Sequence, residues 1–121
     1  MKKILMFILF SLPLAASAGH MDVIEMELGA DCSIPKLQMI VKDFNQWGKS
    51  HGYTAELAVP IQSNQLTSVF WIGRSESTAA FGATYDSWEA DLPDAKSAPA
   101  KLNARFEGCT TNIARRGYSI N

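Results

Sequence analysis

Three side chains of this sequence have the chemistry to hold a small molecule: Trp71, Arg74 and Tyr85. An indole is a broad apolar plate with one N–H, and a phenol pairs a ring with a hydroxyl. Either can wall a pocket and orient one polar group. Arg74 follows Gly73 and offers a guanidinium to an anionic ligand, or to Glu76 close by. Each residue also has a plainer use. Trp71 can pack a core or an interface, Tyr85 shares a helical stripe with Phe81 and Trp88, and Arg74 can be a solvated charge at a strand end. No arrangement goes further towards a catalytic centre. The G-x-S-x-G elbow of serine hydrolases is absent, as is the G-x-x-x-x-G-K loop that cradles phosphate. His20 and His51 are the only histidines, and the acidic residues are scattered singly, so no metal-ligand spacing emerges. The expectation is therefore no metal, no cofactor and no assignable catalytic residue.

The chain start says where these residues work. Lys2 and Lys3 precede an apolar run from Ile4 to Leu14, and Ala16-Ser17-Ala18 gives the small-x-small step of a cleavage site. The apolar stretch is shorter than the roughly 20 residues needed to span a bilayer core. Residues 1–18 are thus expected to be a signal peptide, leaving a single domain over residues 19–121 in the periplasm or outside the cell. That domain carries nine basic and twelve acidic residues, a net charge of −3. Apart from the pair Arg115-Arg116 it has no basic stripe, which speaks against nucleic acid and against attraction to a membrane surface once the signal is removed. Cys32 and Cys109 are the only cysteines. In an oxidising compartment they are a candidate disulfide, with two buried free thiols as the alternative. No C-x-x-C is present, so thiol chemistry is not the function.

The elements that must position the candidate residues follow from periodicity. Ile24, Met26 and Leu28 alternate with Glu25 and Glu27, the pattern of a half-buried strand. Ser33 can cap a helix that has Pro35 in its first turn and Leu37, Ile40, Val41, Phe44 and Trp47 along one stripe, ending at Gly48 or Gly52. Tyr53 to Ile61 alternates again, with Pro60 demanding an edge or a bulge. Val69 to Ile72 is apolar on both faces and so needs cover on both. Ser77 opens a second helix over residues 77–92, Pro99 a shorter one, and Thr110 to Ile120 reads as a last strand. The order is the βαββαβ pattern of ferredoxin-like α+β folds, with a four-stranded antiparallel sheet in the order 4-1-3-2. That order puts the Pro60 strand at an edge and the two-faced apolar strand in the centre. It also brings the end of the first strand, and Cys32 just beyond it, beside the start of the last, next to Cys109.

Helices cover one face of such a sheet, so the apolar outer face of the third strand calls for a partner. The pattern over residues 21–121 resembles the dimeric α/β-barrel superfamily, which includes antibiotic-biosynthesis-type monooxygenases and related stress-response proteins. The resemblance implies a homodimer with a cavity in each monomer. The haem-degrading members carry a histidine on the second helix. Residues 77–92 hold none, which argues against haem. Cofactor-independent oxygenation in that superfamily uses a tryptophan, a tyrosine and an asparagine, for which Trp71, Tyr85 and Asn45 are the right types. The sequence thus leads to an exported homodimeric protein that binds a small, largely apolar molecule through Trp71, Tyr85, Arg74 and Asn45. A cofactor-independent monooxygenase acting on a small aromatic or polyketide-like substrate, and a non-catalytic interaction module, are the alternatives.

Overall fold

The computed structural model describes residues 19–121, so the expected signal peptide lies outside the described residues. The chain runs β1 (Gly19–Leu28), α1 (Ile34–Ser50), β2 (Thr54–Ala58), β3 (Ser68–Ser75), α2 (Thr78–Asp91), α3 (Ala98–Glu107) and β4 (Thr110–Ile120). A serine starts each helix. The hydroxyls of Ser33, Ser77 and Ser97 accept from the amides of Lys36, Ala80 and Ala100 at 3.3, 3.0 and 3.1 Å, each satisfying a donor that the first turn leaves over. Pro35 and Pro99 sit in first turns, where the missing N–H costs nothing. Gly52, at φ +75°, makes the left-handed turn from α1 into β2.

The four strands form one antiparallel sheet in the order β2-β3-β1-β4, as the sequence pattern predicts. This α+β architecture is ferredoxin-like. In β1 the even-numbered residues face the helices: Asp22 and Met26 are buried there, with Ile24 and Leu28 packed against the core. In β3 the odd-numbered residues do so, with Val69 and Trp71 at 4 and 5% exposure. Leu37, Ile40, Val41 and Phe44 of α1 supply most of the opposing layer. Cys32 and Cys109 are bonded, with their Cα atoms 4.9 Å apart at a sequence separation of 77. In the chain-entropy picture closure of so long a loop stabilises by about 4 kcal/mol. The amide of Gly29 donates to the Cys109 carbonyl at 2.8 Å, so the bridge reinforces an existing clasp between the loop after β1 and the start of β4.

Two features depart from the sequence expectation. β2 stops at Ala58 instead of continuing to Ile61, and Val59 and Ile61 are 43 and 92% exposed. Pro60 lies beyond the strand because it has no N–H to extend the ladder. In β4 the register skips Ile113: Met26 pairs with Asn112 but Glu25 with Ala114. This bulge throws Ile113 outward to 50% exposure and changes the parity of everything before it.

The outer face carries Met21, Val23, Phe70, Ile72, Ala114 and Tyr118, and no helix of the described residues covers it. Ion pairs are interleaved with these apolar side chains: Arg74, opposite Met21, meets Glu56 at 3.2 Å, and Arg116, opposite Val23, meets Glu25 at 3.6 Å. Among the described residues no helix is long and apolar enough to cross a membrane.

Candidate functional site

α2 is the loosest layer of the fold. Of its residues only Thr84 is buried, while Phe81 and Trp88 are half-buried and Tyr85 is 42% exposed. The helix stands off the sheet, and the gap is a cavity of about 250 Å³. Ile24 and Met26 of β1 and Trp71 of β3 form its floor. Phe44, Trp47, Phe81, Trp88 and Phe106 wall it, and Asn112 and Arg115 of β4 close one side. The aromatic rings support each other at favourable edge-to-face geometry. Phe44 meets Trp71 at 4.7 Å between centroids, and Trp71 meets Phe106 at 5.4 Å. An apolar cavity near 150 Å³ is enough for benzene. The space here suits a molecule of one or two rings.

A buried polar relay lies under one end of this cavity. Asp22 shares the inward parity of Ile24 and Met26, and its side chain is only 2% exposed. A carboxylate so far from water requires full compensation. Arg115 provides most of it through a two-pronged contact, Nε to Oδ1 at 3.0 Å and Nη2 to Oδ2 at 2.7 Å. The Tyr53 hydroxyl donates to Oδ2 at 3.1 Å and accepts from the Trp71 indole N–H at 2.6 Å. Gly73 makes room for this arrangement. It lies between Asp22 and Ala55 in the sheet, and a Cβ on it would overlap the Tyr53 hydroxyl and the ring carbon that bears it.

Electrostatics follow from the geometry. Burial, and then the Asp22 charge, push the Tyr53 phenol above the ordinary tyrosine range, against the opposing pull of the indole bond and Arg115. Tyr53 is therefore a neutral phenol. The hydrogen bond to Asp22 is the largest influence on Arg115 and raises its pKa further, keeping it a cation. Its guanidinium carbon sits 5.8 and 5.5 Å from the Phe81 and Tyr85 ring centres, a cation–π arrangement that fixes it at the cavity edge. Arg115 Nη1, the Asn112 amide and the Tyr85 hydroxyl have no hydrogen-bond partner among the described residues and remain available to a guest.

Of the residues singled out from sequence, Trp71 and Tyr85 line the cavity together. The indole N–H of Trp71 is spent on Tyr53, however, so the ring contributes a wall and not a polar handle. Arg74 projects from the opposite face of the sheet, where it pairs with Glu56 and places Nη1 3.6 Å from the Met21 sulfur. Asn45 is also elsewhere. Its amide brackets the backbone of Ala55, donating to the carbonyl at 2.7 Å and accepting from the amide at 2.8 Å, which staples α1 to the edge strand. Asp22, Tyr53, Asn112 and Arg115 are polar residues of this region beyond those singled out from sequence. Asp22 had a legible signal, as an acid in phase with Ile24, Met26 and Leu28. Among the described residues no cluster of three metal-ligating side chains occurs.

No family model matches the sequence, and no curated protein matches it. Several solved structures share the fold. The cofactor-independent oxygenase SnoaB of Streptomyces nogalater superposes with a TM-score of 0.59 at 8% identity, covering 87% of this chain and 95% of its own. A conserved protein of unknown function from Bacteroides thetaiotaomicron, described as a possible oxidoreductase, gives 0.55 at 10% identity, covering 88% of this chain and 100% of its own. The hydroxynitrile lyase of Passiflora edulis gives 0.53 at 15% identity, covering 88 and 95%. At such identities the likeness is one of fold.

Proposed function

We propose that this protein is an exported homodimer that binds a small, largely apolar molecule of one or two rings in the cavity beneath α2. The observation that carries the reading is the cavity itself: about 250 Å³ walled by aromatic rings, with a few polar groups converging on one side. Binding sites for small molecules have this composition. A helix that only packed a core would bring Phe81, Tyr85 and Trp88 into full burial. Here they hold a space open instead.

Export is supported by the signal-like residues 1–18 and by the Cys32–Cys109 bond, which persists in oxidising compartments. The homodimer is supported by the apolar strip on the outer face of the sheet, whose Phe70 and Ile72 are the outward half of the two-faced third strand. Stripping two such strips of water is the usual driving force for association.

Native mass spectrometry of the protein, purified from its producing cells without reductant, tests the reading. Expected is a dimer with extra mass on each chain, and saturable uptake of naphthalene in equilibrium dialysis that Trp71→Phe weakens. A monomer would overturn the dimer, and failure of naphthalene to enter would overturn the binding site. Cofactor-independent oxygenation is a second reading, favoured by the fold likeness to SnoaB and by Trp71 and Tyr85 in one cavity. Asn45, the third residue of that set, is committed to the edge strand, which puts binding first. Oxygen uptake on adding the molecule released from the protein distinguishes the two.

A further inference from the structure

We propose that Asp22 sets the charge selectivity of the cavity, so that it takes neutral ring compounds with a polar substituent and turns away their anionic counterparts. The inference rests on the cavity being a binding site and concerns which guests it admits.

Among the described residues, Arg115 is the only cationic side chain that lines the cavity. Taken alone, a half-exposed guanidinium between two aromatic rings is an anion receptor, and a carboxylate guest is what it would select. Asp22 changes that. Its buried carboxylate takes two of the guanidinium's donors and leaves Nη1 free at the cavity edge. The pair is neutral as a unit, so what reaches the guest is a hydrogen-bond donor without a net charge behind it. A guest carboxylate at Nη1 would be the second anion on one guanidinium. Glu89, which also lines the cavity, would be a third negative group nearby. Even at this half-exposed cavity edge, repulsion between like charges a few ångströms apart is only partly screened. A carboxamide or carbonyl meets no such cost, and can accept from Nη1 and from the Asn112 amide.

The bulge at Ile113 strengthens the case. In a regular strand, residues three apart point to opposite faces. The skipped register brings Asn112 and Arg115 to the same face, opposite Met26 and Ile24 respectively. Bulges of this kind re-aim side chains at sites. Both re-aimed groups can donate to a neutral acceptor, and neither adds an uncompensated charge.

The test compares two probes of one shape, 2-naphthamide and 2-naphthoate, by titration calorimetry on the full protein at neutral pH. The wild type is expected to bind the amide about tenfold more tightly than the acid, the scale of one partly screened like-charge contact. In Asp22→Asn the side chain keeps its shape and loses its charge, Arg115 becomes an uncompensated cation, and the order inverts in favour of naphthoate. A purely structural role would weaken both probes alike and leave their ratio unchanged. Glu89→Gln, which breaks no bond to Arg115, should raise naphthoate binding by a smaller factor and leave the order intact. Naphthoate binding the wild type at least as well as naphthamide overturns the proposal, and so does an unchanged ratio in Asp22→Asn. Should that variant not fold, the wild-type ratio alone decides. If naphthalene enters but the acid is not disfavoured, selectivity fails and the cavity stands; if no probe enters, the binding reading itself has failed.

Discussion

The two faces of the sheet solve opposite problems with the same strands. The covered face buries a carboxylate and then surrounds it: Arg115, Tyr53 and, through Tyr53, Trp71 each give it a hydrogen bond or support one. The outer face leaves apolar side chains uncovered and sets its charges among them as exposed pairs, where water shares the work. A contact on the covered face is therefore costly to lose, because its partners stay behind unsatisfied in a dry place. A contact on the outer face is cheap to lose, because water replaces it.

The largest effect should come from the smallest change. Gly73→Ala places a methyl where the Tyr53 hydroxyl lies, forcing the ring out and leaving Asp22 and Trp71 each short of a partner. Overpacking together with orphaned buried groups should cost about 3–4 kcal/mol, read as a lower midpoint in urea at an unchanged slope. Tyr53→Phe keeps the ring and removes only the hydroxyl, for a loss of about 1–2 kcal/mol.

This second variant also has a pH signature. The folded state holds the Tyr53 proton above the ordinary tyrosine range, whereas the unfolded chain releases it near pH 10. Above that pH the unfolded state binds fewer protons, so this tyrosine makes stability fall as pH rises. Thermal midpoints of wild type and Tyr53→Phe should accordingly approach each other above about pH 10. Parallel curves would show that Tyr53 is not held dry.

On the outer face, Ile72→Asp should cost the single chain about 1 kcal/mol or less while abolishing the proposed dimer in sedimentation. Arg74→Ala, which breaks an exposed ion pair, should change stability by no more than about 0.5 kcal/mol. A large loss at Arg74 would erase the contrast between the faces.

The same contrast explains what could be read from the sequence. Topology was legible because each element carries its own signal: serine caps at Ser33 and Ser77, alternation in β1, a two-faced apolar run in β3. The order 4-1-3-2 then brings Cys32 beside Cys109. The covered site was legible only where periodicity held. Asp22 shares the inward parity of β1; the two-faced run leaves the side of Trp71 open, and its parity says only that Arg74, three residues on, takes the opposite face. Arg115 could not be placed, since the bulge at Ile113 breaks the alternation and nothing local in Asn112-Ile113-Ala114 announces it. Asn45 was read for its type, but its amide satisfies the backbone of an edge strand, a use that only the folded neighbourhood reveals.

The overlap between Gly73 and Tyr53 also reaches beyond this one chain. Position 53 immediately precedes β2 and position 73 lies on the neighbouring β3, and the space that one side chain occupies is the space the other gives up. The two positions therefore act as one character: a side chain can be gained at 73 only where the tyrosine hydroxyl at 53 is given up. A descendant that gains even a methyl at 73 will have surrendered the tyrosine at 53, and with it one of the groups that hold an acid at position 22.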